Sequence, residues 1–264
     1  RKGLGGLNWF LIAVGVLLVL ACGGSGSLAL LYRARRMRLR EQAYGLSTPY
    51  LPHIAAVIGG LSGLLIGGLL AYYLSLNQQG NPIEWIGRFS YVLVAWAGGG
   101  HLLYLVHIGL QLWREEGDWQ RGDEKRQSLG RRRRIILRQL RQQHRHYIDL
   151  KARDDVVIDE LIGVLGNPLL NVRRDLSRIP LYGYLGTVCG ILLMAQNLSR
   201  IDEATQTFKV LGSMAEGLAL AFQTTLVALL TYLPLRKAAD YLVQRVGALE
   251  DSWAHLRDEE GVDV

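Results

Sequence analysis

Only two cysteines occur in 264 residues, Cys22 and Cys189, and both lie inside apolar runs. They fit neither a metal-ligand spacing nor a disulfide framework, and read as small hydrophobic side chains. No nucleophile–base pair, phosphate-binding loop or metal-ligating cluster emerges along the chain. That sets an enzyme aside, and no catalytic residue, metal or cofactor is expected. Solenoid repeats and low-complexity tracts are missing, as are the inverted repeats or broken helices of a secondary transporter. The scarcest feature is charge within the apolar runs: no Asp, Glu, Lys or Arg stands in the middle of any of them.

What is present is segregated. Half of the residues are hydrophobic and the formal net charge is +7, yet the two classes do not mix along the chain. Apolar blocks fall at about 8–32, 51–76, 90–113, 181–198 and 214–235. At ~1.5 Å rise per residue, about 17–25 residues cross a hydrocarbon core ~30 Å thick, so each block is long enough to span a bilayer. Helices or closed barrels alone satisfy the backbone there, and these blocks lack the alternation of barrel strands. The expected fold is all-α: a polytopic helical membrane protein with about five transmembrane helices and cytoplasmic helical extensions. Residues 1–113 hold three spans, 114–178 a basic helical region, 179–236 a hairpin of the last two spans, and 237–264 a terminal helix.

Arginine sets the orientation. Basic residues crowd 33–40 and 114–178, while the connections 77–89 and 199–213 are nearly neutral. Basic loops stay cytoplasmic, which puts the first end outside and the last inside. The same arginines meet anionic lipid headgroups, and nucleic acid is not expected as a partner.

Taken in order, the first block ends in Leu20-Ala-Cys-Gly-Gly-Ser, faintly like a lipoprotein cleavage site. Its apolar run continues into arginines instead, as an anchor would. The second block carries Gly59, Gly63 and Gly67 at spacing four, a face for close helix packing within this subunit. Tyr72, Tyr73 and Trp85 suit an interfacial belt. The third block contains His101 and, nearer its cytoplasmic end, His107. His101 is the stronger functional candidate of the two, although a neutral histidine bonded to a neighbouring backbone group is the commoner outcome. Residues 115–130 are charged and breaker-rich, which predicts a loop. A basic helix follows from Arg131, with Ile135, Ile136 and Leu140 as its apolar positions. Ile158, Leu161, Ile162 and Leu165 mark one face of another helix, and Gly166-Asn167-Pro168 is expected to end it. In the terminal helix, Ala238, Tyr241, Leu242, Arg245 and Leu249 form the face that would meet a neighbour.

The last two blocks carry the chemistry. Gly183, Thr187 and Gly190 share one helix face, and Gly217, Ala221, Thr224, Ala228 and Thr231 form a longer stripe of the same kind. Small residues bring helices together, and threonine hydroxyls both donate and accept. Such faces either pack dryly or line a narrow wet path, and spacing alone leaves both open. An ion path needs an ionisable group to hold the ion at low dielectric. Glu216 is the nearest carboxylate, but it sits at the outer end of the fifth block. If the chain conducts, the carboxylate must come from a partner.

These residues resemble the pore-forming helices of the MotA/TolQ/ExbB family of ion-driven motor proteins. The family pattern Pro…Gly-x-x-Gly-Thr-Val-x-Gly-[Met/Ile] is matched by Pro180, Gly183, Gly186-Thr187-Val188 and Gly190-Ile191. Its second pattern, Ala-x-x-x-Thr with a proline nine residues on, is matched by Ala221, Thr225 and Pro234, with Ala228 where a glycine is usual. The resemblance implies a homopentamer in the bacterial inner membrane around two copies of a single-span MotB/ExbD/TolR-like partner. The partner's transmembrane aspartate would take up and release H⁺ or Na⁺ beside pore threonines, and the matching positions here are Thr187 and Thr225. Spacing singles out Thr224 instead, which stays as a neighbour of that path. TolQ-like chains would begin at the third block and MotA-like chains at the second, so the first two blocks, or the first alone, are additions and would form an outer ring. The competing reading is a non-conducting membrane scaffold whose Gly and Thr faces only pack.

Overall fold

The computed structural model describes residues 3–46, 48–76, 81–121, 128–143, 146–198 and 207–261. They form helices α1 (Gly3–Ala43), α2 (Leu51–Leu76), α3 (Pro82–Arg121), α4 (Leu129–Gln143), α5 (Tyr147–Asp175), α6 (Arg178–Leu198) and α7 (Thr207–Gly261), with no strand among the described residues. Five stretches are long and apolar enough to cross a membrane, lying in α1, α2, α3, the run Tyr147–Leu198 through α5 and α6, and α7. The expected all-α membrane architecture stands.

The chain divides into two compact units. The first takes in the chain up to Tyr32, then His53–Leu102 and Asp175–Arg236. Its helices meet through glycine and serine. A Cβ added to Gly26 would lie 3.0 Å from the Gly63 Cα, and one on Gly67 only 2.7 Å from the Val19 Cα. The α2 glycine stripe therefore packs backbone to backbone against α1, and the Ser27 hydroxyl donates to the Ala56 carbonyl at 3.0 Å. Where lipid surrounds the helices there is no hydrophobic force between them, and such close approach supplies the contact. Gly98 and Gly99 of α3 lie against Thr231 of α7 and Ser62 of α2. Asn81 caps α3, accepting the Ile83 amide at 3.2 Å, with Pro82 at the first helical position, where its missing N–H costs nothing.

The second unit takes in Arg33–Pro52, Leu103–Arg174 and the chain from Lys237. It has a core of large side chains, among them Leu112, Leu137, Leu161, Leu165, Leu169 and Trp253, all at 2 % exposure or less. Gly45, at φ +76°, ends α1 in the left-handed conformation that favours glycine. The amides of Leu46 and Gly45 return to the carbonyls of Glu41 (3.1 Å) and Gln42 (3.0 Å), the paired bonds of a Schellman cap.

Several boundaries differ from the sequence expectations. α3 runs to Arg121, so the expected loop over 115–130 begins as helix; 122–127 lie outside the described residues. Glu115 explains the extension: its carboxylate accepts the Leu129 (2.9 Å) and Gly130 (3.1 Å) amides at the start of α4. α5 continues through Pro168 to Asp175 instead of ending at Gly166. Proline inside a helix costs about 3 kcal/mol, but burying Leu169 and Val172 beyond it returns about 1.5–3 kcal/mol each. α7 likewise passes through Pro234. One lost bond to the Leu230 carbonyl exposes less backbone to lipid than a full break would. On α4 the inward face is Arg133 and Leu137, while Ile135 is exposed, because a buried carboxylate draws Arg133 inside. On the terminal part of α7 the buried stripe is Ala239, Val246, Leu249 and Trp253, leaving Ala238 and Tyr241 exposed.

Candidate functional site: the α6–α7 hairpin

α6 and α7 meet along a seam in which nothing larger than threonine stands at the closest approach. A Cβ added to Gly183 or Gly186 would come within 2.5 Å of Ala228 or Thr224, and one on Gly190 within 2.8 Å of the Ala221 Cβ. Gly183, Gly186 and Gly190 thus face Ala228, Thr224 and Ala221 in antiparallel register. Real Cβ atoms do not approach so closely, so the seam closes only with glycine at all three.

The threonines divide by position. Thr224 is buried in the seam, and its hydroxyl lies within bonding distance of its own helix's Leu220 (2.9 Å) and Ala221 (3.1 Å) carbonyls. Thr225, turned about 100° around the helix, is half-buried at the seam's edge, and its hydroxyl meets that of Thr187 across the helices. The Thr187 hydroxyl also lies 3.2 Å from the Gly183 and Ala221 carbonyls. Each hydroxyl has one proton. If Thr187 donates to a carbonyl, Thr225 donates to Thr187 and presents its lone pairs as acceptors. Around the pair, Tyr184 and Ile191 of α6 and Phe222 and Leu229 of α7, a turn to either side, are all exposed. Two hydroxyls therefore sit on an apolar, uncovered face.

Residues 175–255 match the model of the MotA/TolQ/ExbB proton channel family. This segment is similar to that family. The match takes in all of α6 and most of α7, and residues 1–174 lie outside it. The chain matches neither a curated protein nor a solved structure.

The other sequence candidates fall elsewhere. Glu216 is exposed and, with Tyr73, Arg88 and Gln223, lines a cavity of about 480 Å³. His101 is half-buried on α3, directly after Gly98-Gly-Gly100. Pro234 is exposed within the continuous α7. No group of three or more metal-ligating side chains occurs among the described residues.

Sequence reasoning ranked His107 below His101, and the structure gives His107 the more informative setting. Within the second unit its Nε2 pairs with Glu41, and both are buried, at 1 % and 7 % exposure. Thr48 donates to the same carboxylate at 2.8 Å. A signal was present: His107, Gln111, Arg114, Glu115 and Asp118 follow a helical stripe on α3. The partner was not legible, because Glu41 is distant in sequence and sits beside an arginine block.

Proposed function

We propose that this chain is an ion-conducting, stator-like subunit which, as a pentamer around a single-span MotB/ExbD/TolR-like partner pair, converts ion-motive force into rotation or mechanical work. The carrying observation is the Thr187–Thr225 hydroxyl pair on an exposed apolar face, inside the segment that matches the model of a proton channel family. The proposed ion is H⁺, the proposed membrane the bacterial inner membrane, with the chain's first end outside and its last inside. The partner supplies the missing carboxylate: its membrane aspartate docks beside the threonines, and the Thr225 oxygen accepts the proton of the neutral acid. Deprotonation leaves a carboxylate that the apolar face disfavours, which moves the partner on to the next subunit. The membrane potential supplies about 2.3 kcal/mol per charge per 100 mV for this cycle.

A scaffold reading has its own support in the tight Gly–Ala seam, which would close whether or not an ion passes. Thr225→Val separates the two. Valine keeps the shape and removes the hydroxyl, so the assembly should still form while proton flux into vesicles falls strongly. Undiminished flux would remove the threonine from the path and favour the scaffold.

A further inference from the structure

The second unit contains a buried acid–base pair that the hairpin does not use. His107 and Glu41 are both more than nine-tenths buried. Glu41 accepts from Thr48 through one oxygen and meets His107 Nε2 through the other. An Nε2–H tautomer of the neutral imidazole, donating to Glu41, leaves Nδ1 as the bare, basic nitrogen. His107 Nδ1 is buried without a hydrogen-bond partner, and so are the Tyr50 hydroxyl and the Gln111 Nε2. The Tyr50 ring lies 6.0 Å from the imidazole. Burial lifts the Tyr50 phenol to about 12, with Arg114 opposing and Glu41 assisting, so it stays an O–H group.

Tyr50 and Gln111 also line a cavity of about 370 Å³, together with Thr48, Arg114, Glu115 and Asp118. Orphaned polar atoms in a polar cavity of this size are the setting that ordered water fills. Arg114 stacks on Tyr50, its guanidinium carbon 4.1 Å from the ring centre, and Glu115 is held by the α4 amides. Glu41 from α1 faces His107 itself, and the charged groups that line the cavity with Tyr50 and Gln111 are Arg114, Glu115 and Asp118 from α3.

We propose that the His107–Glu41 pair is a proton-holding station, taking up a proton at His107 Nδ1 from the polar cavity and releasing it by the same route. On uptake a hydronium in the cavity becomes water, the N–H bond forms at Nδ1, and neutral imidazole beside carboxylate becomes an imidazolium–carboxylate ion pair. Release reverses each step. Chains of acid, histidine and hydroxyl groups within membrane helices serve proton relays for this reason. The station rests on the conducting role proposed above, and it would be a protonation site separate from the threonine pair.

The test uses the full chain reconstituted with its single-span partner. His107→Gln keeps an N–H for Glu41 but cannot take up a proton, and it should lower proton flux by about a hundredfold, the scale of losing a positioned proton donor. His107→Ala should regain flux when imidazole is added. Flux in His107→Gln equal to that of the unaltered chain would overturn the proposal. A second readout is independent of flux: ¹⁵N spectra of the His107 imidazole should show Nδ1 gaining a proton as pH falls from 8 to 5. An imidazole that keeps one protonation state throughout would overturn the station even if the channel conducts. A titrating His107 in a chain with no flux would support the station and refute the conducting role.

Discussion

The two units solve the same packing problem with opposite materials. The first brings helices together by removing side chains: Gly26 on Gly63, Gly183 on Ala228, Gly190 on Ala221. Its described ion pairs, Arg88 with Glu84 and Arg178 with Asp175, lie at helix ends. The second unit does the reverse, burying leucine, tryptophan and charge together. Arg133 and Asp154 are fully buried and 2.5 Å apart, and Arg257 approaches the same carboxylate at 3.4 Å while also binding Asp155 and Asp258. Tyr147 donates to Asp258 at 2.6 Å. Trp253 packs on Trp119 with ring centres 5.9 Å apart. Where lipid surrounds helices there is nothing to gain from burying leucine, so contact area comes from small residues.

This contrast breaks first at Asp154. Asp154→Ala strands Arg133 in the core, and losing one partner of a buried pair costs about 3–5 kcal/mol. Thermal unfolding in detergent should show the second unit's transition falling well before the hairpin's. A single, unshifted transition would mean that the pair is not what holds this unit. Gly190→Val is next: the added side chain meets Ala221, and overpacking costs about 1–3 kcal/mol. It should loosen α6 from α7, read as increased labelling of an introduced seam cysteine, while leaving the second unit's unfolding unchanged. The smallest effect is expected at Arg173 and Asp240, a 2.8 Å pair with both side chains about 40 % exposed. Asp240→Asn should shift stability by less than about 1 kcal/mol, and salt should shrink even that.

The hairpin was legible because its two constraints are local. A glycine or threonine every three to four residues is visible in the sequence, and the seam obeys that spacing at Gly183, Gly186 and Gly190. Spacing pointed to Thr224 and the family resemblance to Thr225. The structure buries Thr224 and brings Thr225 to Thr187. Less was legible in the second unit. A run of arginines reads as solvated or lipid-facing until a carboxylate from another helix is known, and Asp154 and Arg257 lie far from Arg133 in sequence. The same holds for Glu41 and His107. Pro168 misled for a related reason: local chemistry says stop there, while the burial that carries α5 onward, Leu169 and Val172, lies beyond the break.

In the proposed assembly this chain surrounds a partner that brings the carboxylate. Native mass spectrometry of the complex, purified in mild detergent with its single-span partner, tests it most directly. Five copies of this chain with two of the partner are the predicted result. A monomer or dimer with no such partner would contradict the account and leave the threonine face as packing surface.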